Sequence, residues 1–303
     1  MYNPSTFTYG VELEYADVLV GQPLPDGCAW NDKDNTIVNS SGVANDPKGS
    51  LWKFGGEINT RPTSTVEEQV ALVTQINDML EPKPVINYRC NLHVHVRVPG
   101  LSDDLASCKK LLKYITEYSK SIFDVVEPYV PKPNPNDYTS KEAYDGAMKR
   151  YKRRFKSHQY VMPKSRVGEM MAASTVLEFY EAHAPLTEKG RMWYFSPRAA
   201  INLRQMWEET NTIEFRHFPG TTSIVEMESC IRWCRLFLDN VLNHDQPLTP
   251  RELQQAYGPF TFPEFADYNH ELEKIYAITN HADNNRAVVA ANIESLRASG
   301  VIS

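Results

Sequence analysis

Tyr9-Gly-Val-Glu-Leu-Glu-Tyr15, close to the start of the chain, decides how the rest is read. Strand side chains alternate between faces, so Phe7, Tyr9, Val11, Leu13 and Tyr15 fall on one side and Thr8, Gly10, Glu12 and Glu14 on the other. An apolar back with an acidic front describes a sheet packed on one face and charged on the other. Three further stretches divide in the same way: Lys53-Phe-Gly-Gly-Glu-Ile-Asn59, Asn91-Leu-His-Val-His-Val-Arg97 and Thr212-Ile-Glu-Phe-Arg216. Leu92, Val94, Val96 and Val98 oppose Asn91, His93, His95 and Arg97, and Ile213 and Phe215 oppose Thr212, Glu214 and Arg216. Carboxylates two residues apart repel unless a cation or an arginine lies between them, so the four fronts are expected to converge on one site.

The chain has 303 residues, 42% hydrophobic and 23% charged, enough for a large core in one big domain or two intimate ones. A net charge of −6 gives no global attraction to nucleic acid or membrane. Cys28, Cys90, Cys108, Cys230 and Cys234 are odd in number and lack a metal-knuckle spacing, so they read as reduced, mostly buried thiols. The N-terminus has no basic and apolar signal and no apolar run approaches membrane-spanning length, so a cytoplasmic protein without a membrane partner is expected.

Between the strands the pattern is helical. Ser64-Thr-Val-Glu67 is a capping box that opens a helix carrying Val66, Val70, Val73 and Ile76, stopped by Glu81-Pro82. The His93 strand ends at Pro99-Gly100. Ser102 then caps a long helix with Leu105, Cys108, Leu112, Ile115, Ile122 and Val126 on its buried stripe, closed by Glu127-Pro128. Residues 128 to 137 are a proline-rich linker, followed by a polar helix over 140 to 160 that carries Lys149 to Arg154. Strand character returns at Arg198 to Arg204 and at Asn211 to Phe218. Helices are expected over Ile224 to Asn243, Pro250 to Tyr257, 263–277 and 287–298. The whole reads as α+β: a strongly curved antiparallel sheet with a polar concave face and helices on its apolar back.

Glu12, Glu14, Glu57, His93 and Glu214 form an oxygen-rich set with one imidazole. That set suits magnesium or manganese better than structural zinc. With Arg216 beside two such ions, the group would clamp phosphate. Singly, each motif is weak: Glu-x-Glu on a strand is usually a solvated face, a strand histidine often only satisfies a local hydrogen bond, and Lys149 to Arg154 reads as a solvated helix face. Their coincidence on four strands carries the case.

The order of motifs resembles the amidoligase family, ATP-dependent carboxylate–amine ligases with the glutamine synthetase and glutamate–cysteine ligase fold. The resemblance lies in Gly10-Val-Glu-Leu-Glu-Tyr15, Gly56-Glu-Ile-Asn-Thr-Arg-Pro62, Cys90-Asn-Leu-His-Val-His95, Arg198-Ala-Ala-Ile-Asn202 and Thr212-Ile-Glu-Phe-Arg-His-Phe-Pro-Gly-Thr221, about two-thirds of the chain. It implies a single catalytic domain over 1–303, with a helical insertion at about 102–190 and a helical C-terminal region at about 223–303. It also implies Glu12, Glu14, Glu57, His93 and Glu214 as metal ligands, with His93 joining Glu12 and Glu214 at the ion that holds the ATP phosphates. Arg216 resembles the arginine that stabilises the transferring phosphoryl group, and Arg198 or Arg204 a second phosphate or substrate arginine. Arg61, His95 and Arg97 are the further cofactor-binding candidates. Two departures stand out. The family's Asp-Gly-Ser segment has its nearest counterpart in Asp34-Asn-Thr36, preceded by Asp32, and Asn59-Thr-Arg-Pro62 replaces the usual Ser-Pro-Pro ending.

The implied reaction has two steps: ATP phosphorylates a carboxylate to an acyl phosphate, and an amine then displaces phosphate to form an amide. Small-molecule or peptide carboxylates and amines are the expected substrates, with a modified nucleobase or nucleic acid ranking behind them. Two alternatives stay open: a phosphotransferase of the guanidino-kinase type on the same fold, and a nucleotide-binding protein with a vestigial site.

Overall fold

The computed structural model describes residues 1–31 apart from 17 and 19, 55–124 apart from 82, 85 and 87–89, positions 135, 140, 141, 144, 145 and 148, and residues 164–183 and 199–256. The expectations at Asp32, Asp34, Val126, Glu127 and Pro128, over most of the linker at 128–137 and of the helix at 140–160 with Lys149 to Arg154, and at Arg198, Tyr257, 263–277 and 287–298 lie outside the described residues.

Six strands form one antiparallel sheet: β1 (Thr8–Ala16), β2 (Ala29–Asn31), β3 (Gly55–Asn59), β4 (Asn91–Arg97), β5 (Ile201–Asn202) and β6 (Ile213–Pro219), in the order β2-β3-β1-β4-β6-β5. The helices are α1 (Val66–Met79), α2 (Leu105–Glu117), α3 (Ser119–Asp124), α4 (Lys164–Ala172), α5 (Val176–His183), α6 (Ile224–Asn243) and α7 (Pro250–Ala256). The class is therefore α+β.

One face of the sheet is the core. Tyr9, Val11, Leu13 and Tyr15 on β1, Ile58 on β3, Leu92, Val94 and Val96 on β4 and Ile213 and Phe215 on β6 are all buried. Helix α1 packs on β1, α6 packs on β4, and the two helices pack on each other. The Tyr15 hydroxyl donates to Asn77 Oδ1 of α1 at 2.6 Å, and Phe215 meets Trp233 and Phe237 of α6 edge-on, with ring centroids 6.3 and 5.6 Å apart. Burying each such side chain contributes roughly 1.5–3 kcal/mol, which fixes which face of the sheet points inward. Cys230 and Cys234 lie in this layer as free thiols, and burial raises the pKa of both.

Helix ends follow local chemistry. Thr65, not Ser64, caps α1 by accepting from Glu68 N at 3.1 Å, while Glu68 Oε2 accepts from Ser64 N at 2.9 Å. The expected long helix after Gly100 begins later and bends. Gly100 turns at φ 81°, residues Leu101–Asp103 form a 3-10 turn, and Asp104, not Ser102, caps α2 through Ser107 N at 3.1 Å. The Ser102 carbonyl instead accepts from Trp207 Nε1 at 3.0 Å. At Tyr118 the backbone (φ −103°, ψ 16°) separates α2 from α3, although Tyr118 N still reaches Tyr114 O at 2.9 Å. Among the described residues the strand expected over 198–204 runs only over Ile201–Asn202, and residues Arg204–Trp207 coil into a 3-10 turn whose first N–H is taken by Asn202 Oδ1 at 3.0 Å. Helix α6 spans its expected residues, capped by Ser223.

Strand β6 carries one extra residue. Leu92 pairs with Phe218 but Val94 with Phe215, so His93 opposes both Arg216 and His217. His217 is thereby placed among core rings, 5.4 Å from Trp233 and 4.2 Å from Phe218 by centroid. Among the described residues no helix is long and apolar enough to cross a membrane.

His183, at the end of α5, is buried, and its pKa is pushed down to about 3 by burial and then by the Arg204 charge. The unfolded chain binds this proton near pH 6.5, so unfolding takes up a proton between those two values and stability falls as pH drops through them. The expected slope from this group is about 1.4 kcal/mol per pH unit. Urea unfolding between pH 7 and 4 should show it, and His183→Gln should flatten the curve by that amount.

Candidate metal and phosphate site

The opposite face of the sheet carries the ionisable groups, and register brings them together. Glu12 on β1 sits between Asn59 of β3 and His93 of β4, Glu14 stands opposite Glu57, and His95 stands opposite Glu214. Glu14, Glu57, His93 and Glu214 are buried at 2–4% exposure, so the cluster is withdrawn from water.

Glu12 is its hub. Its Oε2 lies 2.5 Å from His93 Nδ1 and its Oε1 lies 3.0 Å from His95 Nε2. His93 also reaches Glu14 through Nε2 at 3.7 Å and Glu214 through Nδ1 at 3.8 Å. Arg216 Nη1 donates to Glu214 Oε1, which sets the guanidinium into the same face. Ligand atoms of Glu12, Glu57 and His93 lie within 4.8 Å of one another, as do those of Glu12, His95 and Glu214. Both imidazoles thus border Glu12 and Glu214, and His93 also falls into a ligand-sized group with Glu57.

Three asparagines complete the arrangement. Asn31 Nδ2 donates to Glu57 Oε1 at 2.6 Å, Asn202 Nδ2 to Glu214 Oε2 at 2.8 Å, and Asn91 gives both its backbone N and its Nδ2 to Glu14 Oε2 at 2.7 and 2.6 Å. Asn31 and Asn202 each stand directly across the ladder from their carboxylate. Asn91 lies one step beyond the Leu13–Leu92 pair. Carboxamides orient the acids without neutralising them. Sequence reasoning assigned these asparagines no role. The available signal was their position: asparagine is depleted in strands, yet here it recurs on polar fronts.

The electrostatics divide the two imidazoles. Burial alone would raise the Glu12 pKa, but hydrogen bonds from His93 and His95 outweigh it and hold the carboxyl well below the usual range. For His93, burial and then the Arg216 charge prevail, lowering its pKa and favouring the neutral ring that can offer a lone pair. For His95, burial opposes protonation, but Glu12 and Glu214 prevail and raise it. The other nitrogen of His95, Nδ1, lies 3.0 Å from Thr212 Oγ1, which is 3.0 Å from the Thr210 hydroxyl.

Among the described residues the remaining candidates make no ion pair with these carboxylates. Arg204 is buried and its Nε is 2.5 Å from Glu208 Oε1. Arg61 is exposed and donates to Asp26 O at 2.5 Å. Arg97, opposite Thr8 at the outer end of β4, is exposed and makes no ion pair among the described residues.

No family model, curated protein or solved structure matches the chain. The functional reading therefore stands on this geometry and on the motif resemblance.

The donor set fits hard divalent cations. Four carboxylates face one guanidinium, leaving negative charge in a buried place, which a cation would relieve. Asn59 Oδ1, on the strand position opposite Glu12, is buried without a hydrogen-bond partner among the described residues, and a carboxamide oxygen is an acceptable ligand for such an ion. Replacing Asn202 should expose how much the carboxylates depend on their donors. Asn202→Leu leaves a Glu214 oxygen and the Arg204 N–H without partners, and is expected to cost about 1–3 kcal/mol by urea unfolding in metal-free buffer.

Proposed function

We propose that this chain is an ATP-dependent carboxylate–amine ligase that works through an acyl phosphate with two divalent cations, on a sheet of the glutamine synthetase type. The observation that carries the reading is the gathering of Glu12, Glu14, Glu57, His93, His95, Glu214 and Arg216 on one buried sheet face. Magnesium or manganese, held by Glu12, Glu57 and His93 and by Glu12, His95 and Glu214, would offset the charge of the ATP phosphates.

The chain's own groups supply positioning and charge. Arg216, kept protonated mainly by Glu214 and Glu12 against the effect of burial, stabilises the charge on the phosphoryl group as it passes to the substrate carboxylate. The nearly complete burial of Glu14, Glu57, His93 and Glu214 puts the would-be ligands where charge is poorly screened and so acts strongly on the phosphoryl group; an amine then attacks the acyl carbon and phosphate leaves. Neutral His93 and anionic Glu12 offer lone pairs as they stand, whereas His95, its pKa raised by Glu12 and Glu214, gives up its proton before it can bind a cation. The substrates are small-molecule or peptide carboxylates and amines, and the setting is the cytoplasm.

Incubation with ATP, magnesium and mixed carboxylates and amines tests the reaction class. ADP, phosphate and an amide are expected. A stable phosphorylated acceptor would make the chain a phosphotransferase instead, and absence of calorimetric ATP binding with manganese present would remove both enzymes. Glu12→Ala, His93→Ala and Glu214→Ala should each lower turnover by at least about 10²-fold while leaving circular dichroism unchanged. Near-normal turnover in all three would sink the assignment. Arg216→Lys should also be damaging, because lysine lacks the planar fork that grips phosphate oxygens in pairs.

A further inference from the structure

Gly10 is the bare position on the polar face of β1, and neither backbone nor packing calls for a glycine there. The glycines with positive φ are Gly21, Gly27 and Gly100 among the described residues, not Gly10. Its pairing with β4 is regular, running Tyr9–Val96, Gly10–His95, Val11–Val94. On the other side two residues, Arg61 and Pro62, stand against Gly10 between the Val11–Thr60 and Tyr9–Thr63 hydrogen-bonded pairs, one more than a regular ladder holds. The irregularity belongs to that neighbour, and β1 keeps its register with β4 past it.

A Cβ at Gly10 would lie 3.8 Å from Thr60 O, 3.9 Å from Thr60 Oγ1 and 4.0 Å from His95 Cβ, all ordinary contacts. Gly56 and Gly220 differ: a Cβ there would come within 2.7 Å of Val20 Cγ2 and of Cys90 Cβ. Glycine inside a strand is destabilising relative to alanine; here neither a positive φ nor crowding requires it and the irregularity lies on the neighbouring segment, which leaves the close approach of another molecule as its reason.

Exposure along the site gives that molecule a direction. The inner groups are buried, whereas the Glu12 side chain is 21% exposed and Thr8, Gly10 and Asn59 are half-buried. Arg97, exposed and without an ion pair among the described residues, stands one step further out. The face therefore opens past Gly10 toward a cation, which suits an anionic visitor.

We propose that Gly10 is the floor over which the polyphosphate of a nucleotide reaches the buried carboxylates, and that its missing side chain is a specificity determinant for that nucleotide. The proposal rests on the ligase reading. It separates two properties that usually fall together: a side chain at position 10 suits the fold and obstructs the ligand.

Gly10→Ala and Gly10→Val in the full chain test it by thermal unfolding, by titration with Mn2+ alone, and by titration with a non-hydrolysable ATP analogue in Mn2+. The expected result is an unfolding midpoint equal to or above wild type in Gly10→Ala, unchanged Mn2+ affinity, and nucleotide affinity at least about tenfold weaker, more so for valine. Undiminished nucleotide affinity in both variants overturns the role of Gly10 alone. Equal losses of Mn2+ and nucleotide binding also overturn it, because the glycine would then act by placing Glu12. Wild-type protein that binds Mn2+ but no nucleotide overturns this proposal and the ligase reading together.

Discussion

The alternation of β1 is the constraint on which the other features depend. This strand lies inside the sheet, hydrogen-bonded on both sides, and each of its residues has a direct partner on β3 or β4. Tyr9, Val11, Leu13 and Tyr15 are sealed against the helices, so Glu12 and Glu14 have only the other face to occupy. A slip of one residue would bury two carboxylates among Tyr, Val and Leu side chains and expose the aromatic set. Hydrophobic burial on the back therefore sets the address of every charged group on the front, although it contributes nothing to their chemistry.

Like charges on that front are tolerated because their oxygens are anchored by hydrogen bonds and Arg216 offsets only part of the charge. Asn31, Asn91 and Asn202 each hold a carboxylate oxygen, and Glu12 is held by two imidazoles. A lysine or arginine in any of these places would have satisfied the oxygens and removed the charge as well. Carboxamides satisfy the hydrogen bonds and leave the field intact, an arrangement that favours an incoming cation at some cost to the empty fold.

Much of this was legible in the chain. Alternation assigned the faces of the four site strands, and the capping residue and apolar spacing located α6 from Ile224 to Asn243. What alternation cannot supply is register, which depends on pairing between residues far apart in sequence. Hence the grouping of His95 with Glu12 and Glu214, and the partners of the three asparagines, emerged only in three dimensions. Competing caps explain the boundary errors. Ser102 and Asp104 both precede the apolar stripe of α2, and Asp104 prevails because its carboxylate also takes the Tyr2 and Ser107 hydroxyls, each at 2.8 Å. The sequence likewise does not show that Glu208, four residues on, lies against the Arg204 guanidinium.

The extra residue in β6 gives this strand two frames. Before it, Glu214 and Phe215 keep strict alternation with β4; after it, Phe218 returns to the helix side and faces Trp233. The two halves answer to different demands, charge placement in one and aromatic packing in the other, and the inserted position lets both be met at once. Loss of a single residue from 216–217, a change that surface loops absorb readily, would here force a choice between the guanidinium and the ring. The segment therefore tolerates a change in length less well than a surface loop of the same size.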